Sequence, residues 1–304
     1  MDVGDARGLR DDGEFELPAR SRRGKDGAAG SLPGLTTLRL TVEYDGSGFA
    51  GFQWQPTLRT VAGVLEEALS RLFCEPVKLT AAGRTDSGVH ATGQVVSLKT
   101  AASFAFDRLP LALNAILPDD CSVREASVVE ADFSARFGAR ERTYVYVILN
   151  RPRPSALLNR YAWHLPHPLE LDAMRSAAER TLGEHDFLGF CGSLPLDSGG
   201  EPASTVRCVT RFSVERRGAL VRLEVAANGF LHRMVRTLAG TLTECGRGRR
   251  PASDISGILA RAERGLAGPV APAGGLYLAG VRYAGGYDSF AEPPVLGPPT
   301  RDLD

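Results

Sequence analysis

Residues 38–44 alternate apolar and polar side chains with a period of two, Leu38, Leu40 and Val42 against Arg39, Thr41 and Glu43, and then run into Asp45-Gly46. That is the pattern of a half-buried strand ending in a turn. Val61, Val64, Leu65, Ala68, Leu69 and Leu72 follow at the three-and-four spacing of an amphipathic helix. The same reading predicts a short strand at 77–80, a glycine-bracketed loop, a strand at 94–98, a helix at 107–117 and strands at 123–129 and 143–149. Further along it predicts a helix at 171–182, strands at 209–215 and 220–226, helices at 230–245 and 253–264, and a strand at 276–283. Strands and helices intersperse without strict alternation, and neighbouring strands read as hairpins. The pattern therefore predicts an α+β fold with mixed or antiparallel sheets flanked by helices, not a doubly wound parallel sheet.

The length suits two domains, 35–135 and 136–290, with the change near 131–142. Residues 1–34 mix charges with glycine and lack apolar periodicity, and 291–304 are rich in proline. Both read as disordered, an extension and a tail.

Composition narrows the chemistry. Lysine plus arginine number 36 and aspartate plus glutamate 36, so no overall basic excess announces a nucleic-acid partner, and any such site has to be a local patch. The five cysteines are scattered and never spaced Cys-x-x-Cys, which argues against a disulfide framework and a zinc site and for reduced thiols in a cytoplasm. His164 and His167 flank Pro166 and no further ligand joins them, so no metal is expected there. No run approaches the roughly 18 apolar residues of a membrane span, and the acidic N-terminal stretch lacks the apolar core of a secretory signal. A cytoplasmic protein without membrane association is expected.

Four segments carry candidate chemistry. Residues 46–51 form a formal Gly-x-Gly-x-x-Gly after a strand, but Phe52, Gln53, Trp54, Gln55 and Pro56 follow where a dinucleotide site needs a helix, so no nucleotide cofactor is expected. In the second loop Gly83 and Gly88 bracket Arg84, Thr85, Asp86 and Ser87, which presents Asp86 at a sharp turn with Arg84 beside it. Taken alone, that segment equally suits an Asx-type turn whose carboxylate caps local amides. Arg136, Arg140 and Arg142 lead into Tyr144, a combination that pairs phosphates and stacks on a base, or else a solvated edge beside a core tyrosine. Finally, on a helix from Phe230, Leu231, Met234, Val235, Leu238 and Leu242 share one face while His232, Arg233 and Arg236 take the opposite arc, with Arg247, Arg249 and Arg250 beyond. That arc is either a phosphate-binding surface or an ordinary solvated face.

These segments together resemble the bacterial TruA family of tRNA pseudouridine synthases. The resemblance rests on Tyr44-Asp45-Gly46 with 49–53, then 83–94 and 133–144. It continues through His185-Asp186-Phe187, Thr205-Val206-Arg207, 227–236 and 275–278, all in order. Ser87 departs from it, standing where the family usually has alanine. The resemblance implies the pseudouridine synthase fold with the active site in a cleft between the two domains. It implies Asp86 as the nucleophile that attacks a uridine, Arg236 as its ionic partner, Tyr144 against the target base, and Leu276 lining the pocket. Arg84 is implied to fill the space a flipped nucleotide vacates, a useful role because flipping costs a few kcal/mol. Further implications are tRNA as partner through its anticodon stem-loop at positions 38, 39 and 40, a homodimer, and an isomerisation without cofactor or metal. The alternatives are a non-catalytic tRNA-binding module or chaperone using the same arginines, and a nucleotide-dependent oxidoreductase built on 46–51.

Overall fold

The computed structural model describes residues 34–196 and 200–297. All but Gly34 of the expected extension, 1–34, and the end of the expected tail, 298–304, lie outside the described residues. The first half contains β1 (Thr36–Tyr44), α1 (Val61–Phe73), β2 (Thr80–Ala81), β3 (His90–Thr100), α2 (Leu109–Asn114) and β4 (Cys121–Val129). The second runs through β5 (Ala139–Asn150), β6 (Trp163–Leu165), α3 (Leu171–Glu179), β7 (Gly183–Asp186), β8 (Val206–Arg217) and β9 (Leu220–Ala227). It closes with α4 (Met234–Gly246), α5 (Asp254–Arg261), β10 (Leu276–Tyr283) and β11 (Ser289–Phe290).

The alternation in β1 does what it predicts, sinking Leu38, Leu40 and Val42 completely into the core. Removing a side chain of that size from water is worth about 1.5–3 kcal/mol. α1 starts where Thr60 Oγ1 accepts the Gly63 amide at 3.2 Å and stops where Cys74 turns left-handed, so its apolar face of Val61, Leu65, Ala68 and Leu69 packs inward.

Two α+β halves share one mixed sheet in the order β4-β1-β3-β10-β5-β9-β8-β7. Neighbours along this path are antiparallel except at the junction, where β3 and β10 run parallel and pair only through His90 with Tyr277 and Ala91 with Leu278. Parallel pairing sets the beginnings of the two strands side by side, and the cleft opens there. Alternate residues of β5 divide between two cores. Tyr144, Tyr146 and Ile148 belong to the large core with Leu65 of α1, Met174 of α3, Leu238 of α4 and Ile258 of α5, while Val145, Val147 and Leu149 join Tyr277, Ala279 and Leu296 behind the sheet.

Three expectations need correction. The helix predicted from 230 begins at Met234, because Arg233 takes a left-handed conformation (φ 59) that breaks any helix continuing through it. Arg140 and Arg142 do not precede the strand but lie within β5. The stretch 291–297 is no disordered tail: Glu292 accepts from Arg217 and Arg222, and Leu296 is buried against the rear core. The short strands β6, β7 and β11 escape sequence reading because they are too brief to show a period, and each is defined by its neighbour in the sheet.

Candidate active site

A cavity of about 820 Å³ lies at the junction of the halves. Its walls bring together all five residues singled out in the sequence, Arg84 and Asp86 from the loop before β3, Tyr144 from β5, Arg236 from α4 and Leu276 from the start of β10. Asp86 is one-quarter exposed, and its Oδ2 accepts from Arg236 Nη1 at 3.1 Å. Arg236 is itself fixed by donating from Nε to the Ala271 carbonyl at 2.8 Å. A charged donor to a carboxylate makes a hydrogen bond roughly twice as strong as a neutral one. Here it also joins residues far apart in the chain. Arg84 is exposed at the lip, and Leu276 is buried.

The Asp86 turn is held from several sides. Its own carbonyl accepts from the Val89 amide at 3.1 Å, and buried Thr85 Oγ1 hydrogen-bonds Tyr44 Oη at 2.8 Å. Gln94 donates to the Gly83 carbonyl at 2.7 Å, so the residue before the tip is anchored to β3. The glycine loop 46–51 turns out to be the main support. Phe52 donates its amide to the Thr85 carbonyl at 3.0 Å, and Ser87 Oγ donates to the Phe49 carbonyl at 3.1 Å. A β-carbon on Gly46 would lie 2.0 Å from the Val89 carbonyl oxygen, and one on Gly51, whose φ is +98°, 2.9 Å from that of Thr85. These glycines let one backbone lie against another; the pattern reads as backbone packing, not as a phosphate cradle.

Tyr144 is buried, and Phe230 meets its ring edge-on at 5.1 Å between centroids. Burial pushes its phenol well above the ordinary value, with the charge of Asp86 adding to the rise and Arg142 opposing it. The phenol therefore stays protonated. A β-carbon on Gly83 would meet Tyr144 Oη at 3.5 Å, so the glycine brings the backbone of the Asp86 loop close to the ring.

Sequence reasoning left Arg142 among the possible phosphate contacts. In the structure its guanidinium donates to the carbonyls of Ala82, Arg136, Ala139 and Asn228, and so ties β5 to the backbone on both sides of the cleft. Burial lowers its pKa, the expected direction for a half-buried cation. Arg207 also lines the cleft, and burial lowers its pKa as well. Its segment was part of the resemblance, but its lining role was not legible, because Thr205-Val206-Arg207 carries no pattern beyond a strand start. The sequence puts His232 on an arc that is either phosphate-binding or solvated; the turn ahead of α4 brings its Nε2 to 3.7 Å from Asp86 Oδ1.

A cleft with one carboxylate held by one guanidinium, a buried aromatic floor and an arginine-rich rim suits an attack by the carboxylate on an unstacked base or its sugar. Known proteins resemble the chain over most of its length. The family model described as tRNA pseudouridine synthase matches residues 40–138 and 177–284. A tRNA pseudouridine synthase A of Moorella thermoacetica is 45% identical over 251 residues, which cover 82% of this chain and 100% of that protein. One of Caldicellulosiruptor bescii is 41% identical over 249 residues, again 82% of this chain and 100% of the relative.

Proposed function

The chain belongs to the tRNA pseudouridine synthase family, and from that premise we propose that Asp86 is the nucleophile with which it acts on uridines 38, 39 and 40 of the anticodon stem-loop. The enzyme is an isomerase. Uracil is detached from its ribose through nitrogen and rejoined through carbon, so substrate and product contain the same atoms. The observation that carries the assignment is the Asp86–Arg236 pair at 3.1 Å, in which the one carboxylate on the loop tip meets a guanidinium from the other half of the sheet.

Each remaining residue has a role that its surroundings support. Arg236 holds Oδ2 and leaves Oδ1 as the attacking oxygen. Tyr144, neutral and rigidly packed, offers its face and its hydroxyl to the target base, and Leu276 closes the apolar side of the same pocket. Exposed Arg84, two residues from Asp86, enters the stem where the nucleotide has left it. In a chain without net charge the phosphate contacts come from the rim arginines. A homodimer in which each tRNA touches both subunits adds two such patches together. The cytoplasm is the compartment this reading assigns, in keeping with five free cysteines; among the described residues no helix is long and apolar enough to cross a membrane.

The test is Asp86→Asn, which keeps the shape of the side chain. The variant is expected to bind tRNA with nearly the parent affinity and to form no pseudouridine at 38–40 in tRNA that lacks it. Pseudouridine formed by the variant would remove Asp86 from the reaction. Parent enzyme that leaves all three uridines unchanged would remove the assigned positions.

A further inference from the structure

Oδ2 of Asp86 is engaged by Arg236, while Oδ1 faces the imidazole of His232, whose Nε2 lies at 3.7 Å, beyond direct hydrogen-bond distance. The ring is held from behind. Its Nδ1 lies 2.7 Å from Ser193 Oγ, and the His232 carbonyl accepts the Gly192 amide at 2.8 Å. The left-handed Arg233 folds its side chain against Gly192, where a β-carbon would sit 2.8 Å from Arg233 Cδ, so the turn 232–233 and the loop 191–193 fit only together. The result is an imidazole fixed at one nitrogen, with the other aimed across the cleft beside the reacting carboxylate.

The reaction requires one proton to move. When the C1′–N1 bond breaks, its electron pair stays on N1. Whichever atom of the uridine Asp86 attacks, the bond it forms is broken again before product leaves, its electron pair returning to the carboxylate; when C1′ joins C5, the C5=C6 pair forms the new bond. The hydrogen on C5 then leaves as a proton and its bonding pair restores the double bond, while N1 ends with one proton. The balance is a proton transferred from C5 to N1, with no oxidant or reductant. Among the described residues facing His232 across or along the cleft, few groups are suited to carry it. Arg84, Arg207, Arg233 and Arg236 are permanently protonated. Glu66 has one oxygen on the Leu79 amide and the other on Lys78. Asp86 is committed to Arg236 and to attack. The Tyr144 phenol, pushed up by burial, is a donor and not a base.

We propose that His232 is the proton carrier of the isomerisation, oriented by Ser193. With Nδ1–H donated to Ser193 Oγ, Nε2 has its lone pair free, takes the proton from C5 as imidazolium, and gives it up to N1 directly or through solvent. The proposal rests on Asp86 as nucleophile. It extends that reading to a residue outside the five carried by the resemblance.

Single-turnover assays on tRNA labelled with tritium or deuterium at uridine C5 test it. His232→Gln is expected to lower kcat by about 10²-fold or more, with KM and tRNA affinity within about threefold of the parent value. The primary deuterium isotope effect at C5 should rise as proton removal becomes limiting. His232→Ala should recover turnover when imidazole is added, and Ser193→Ala should show a smaller loss in the same direction. A circular dichroism melt like that of the parent excludes misfolding, and the isotope effect separates proton transfer from a structural role. The proposal is overturned if His232→Gln keeps kcat and the isotope effect of the parent, or if its loss lies in KM alone. With Asp86→Asn inactive, that outcome removes only His232. An active Asp86→Asn removes the reading beneath it.

Discussion

The loops 46–51 and 83–88 are alike in composition and setting. Each is bounded by glycine, each adjoins a strand of the same half, and they touch along their backbones. The first has the stronger formal pattern, a Gly-x-Gly-x-x-Gly, yet its glycines serve to let Gly46 lie against Val89 and Gly51 against Thr85. The second has no pattern that physical reasoning alone distinguishes from a capping turn, yet it presents Asp86 to Arg236. What separates them is what stands opposite. Loop 46–51 faces backbone; loop 83–88 faces a cleft with an arginine from across the sheet.

That contrast is open to attack at several points. Gly46→Ala should have the largest effect, because its β-carbon would lie 2.0 Å from the Val89 carbonyl oxygen, well inside van der Waals contact distance. A loss of about 3 kcal/mol or more is expected, the upper part of the range for overpacking, read as a drop in the thermal midpoint. An unchanged midpoint would mean that the two loops are not packed as described. Gly51→Ala strains a backbone at φ +98° and presses on the Thr85 carbonyl one residue from Asp86. Turnover should fall by about 10²-fold, the penalty of an ångström-scale misplacement, while most of the stability remains. Parent turnover in Gly51→Ala would show that the first loop does not position the second.

Smaller effects sharpen the contrast from the chemical side. Arg236→Lys keeps the charge but not the fixed fork of donors. A fall of about tenfold in kcat, about 1.4 kcal/mol, should exceed the change in tRNA affinity; equal losses would make Arg236 a plain phosphate contact. Ser87→Ala deletes only the bond from Oγ to the Phe49 carbonyl. About 1 kcal/mol of stability should go, with little change in rate, since that bond holds the loop and not the carboxylate of Asp86. A large fall in rate would give Ser87 a part in the chemistry that the geometry does not.

How far the sequence revealed the fold depended on length and on what each residue faces. β1 and α1 were legible because their burial follows a single period over many residues. The start of α4 was not, since the pattern of Leu231 and Met234 continues through a left-handed Arg233 that no spacing reveals. At the site, Asp86, Tyr144, Arg236, Leu276 and Arg84 were named through an ordered family resemblance, and the cleft gathers all five. Arg142 looked like a phosphate ligand because a sequence shows a cation but not the four carbonyls it satisfies. His232 did not stand out from its basic neighbours on an arc read as phosphate-binding or solvated, for want of any sign that Ser193, on a distant loop, would lie against its ring.

The place of β10 in the sheet also sets an order in time. It lies between β3 and β5, although it is made long after both. At about 5–20 residues per second, the β3 edge waits about 10–40 s for its central partner while synthesis runs from His90 to Tyr283, and the later β5 edge, begun at Ala139, waits about 7–29 s. Unpaired edges of this kind recruit other strands. The nascent enzyme is thus exposed to aggregation through the same seam that later shapes its cleft, and a chaperone that shields those two edges until β10 slots in would matter most in that interval.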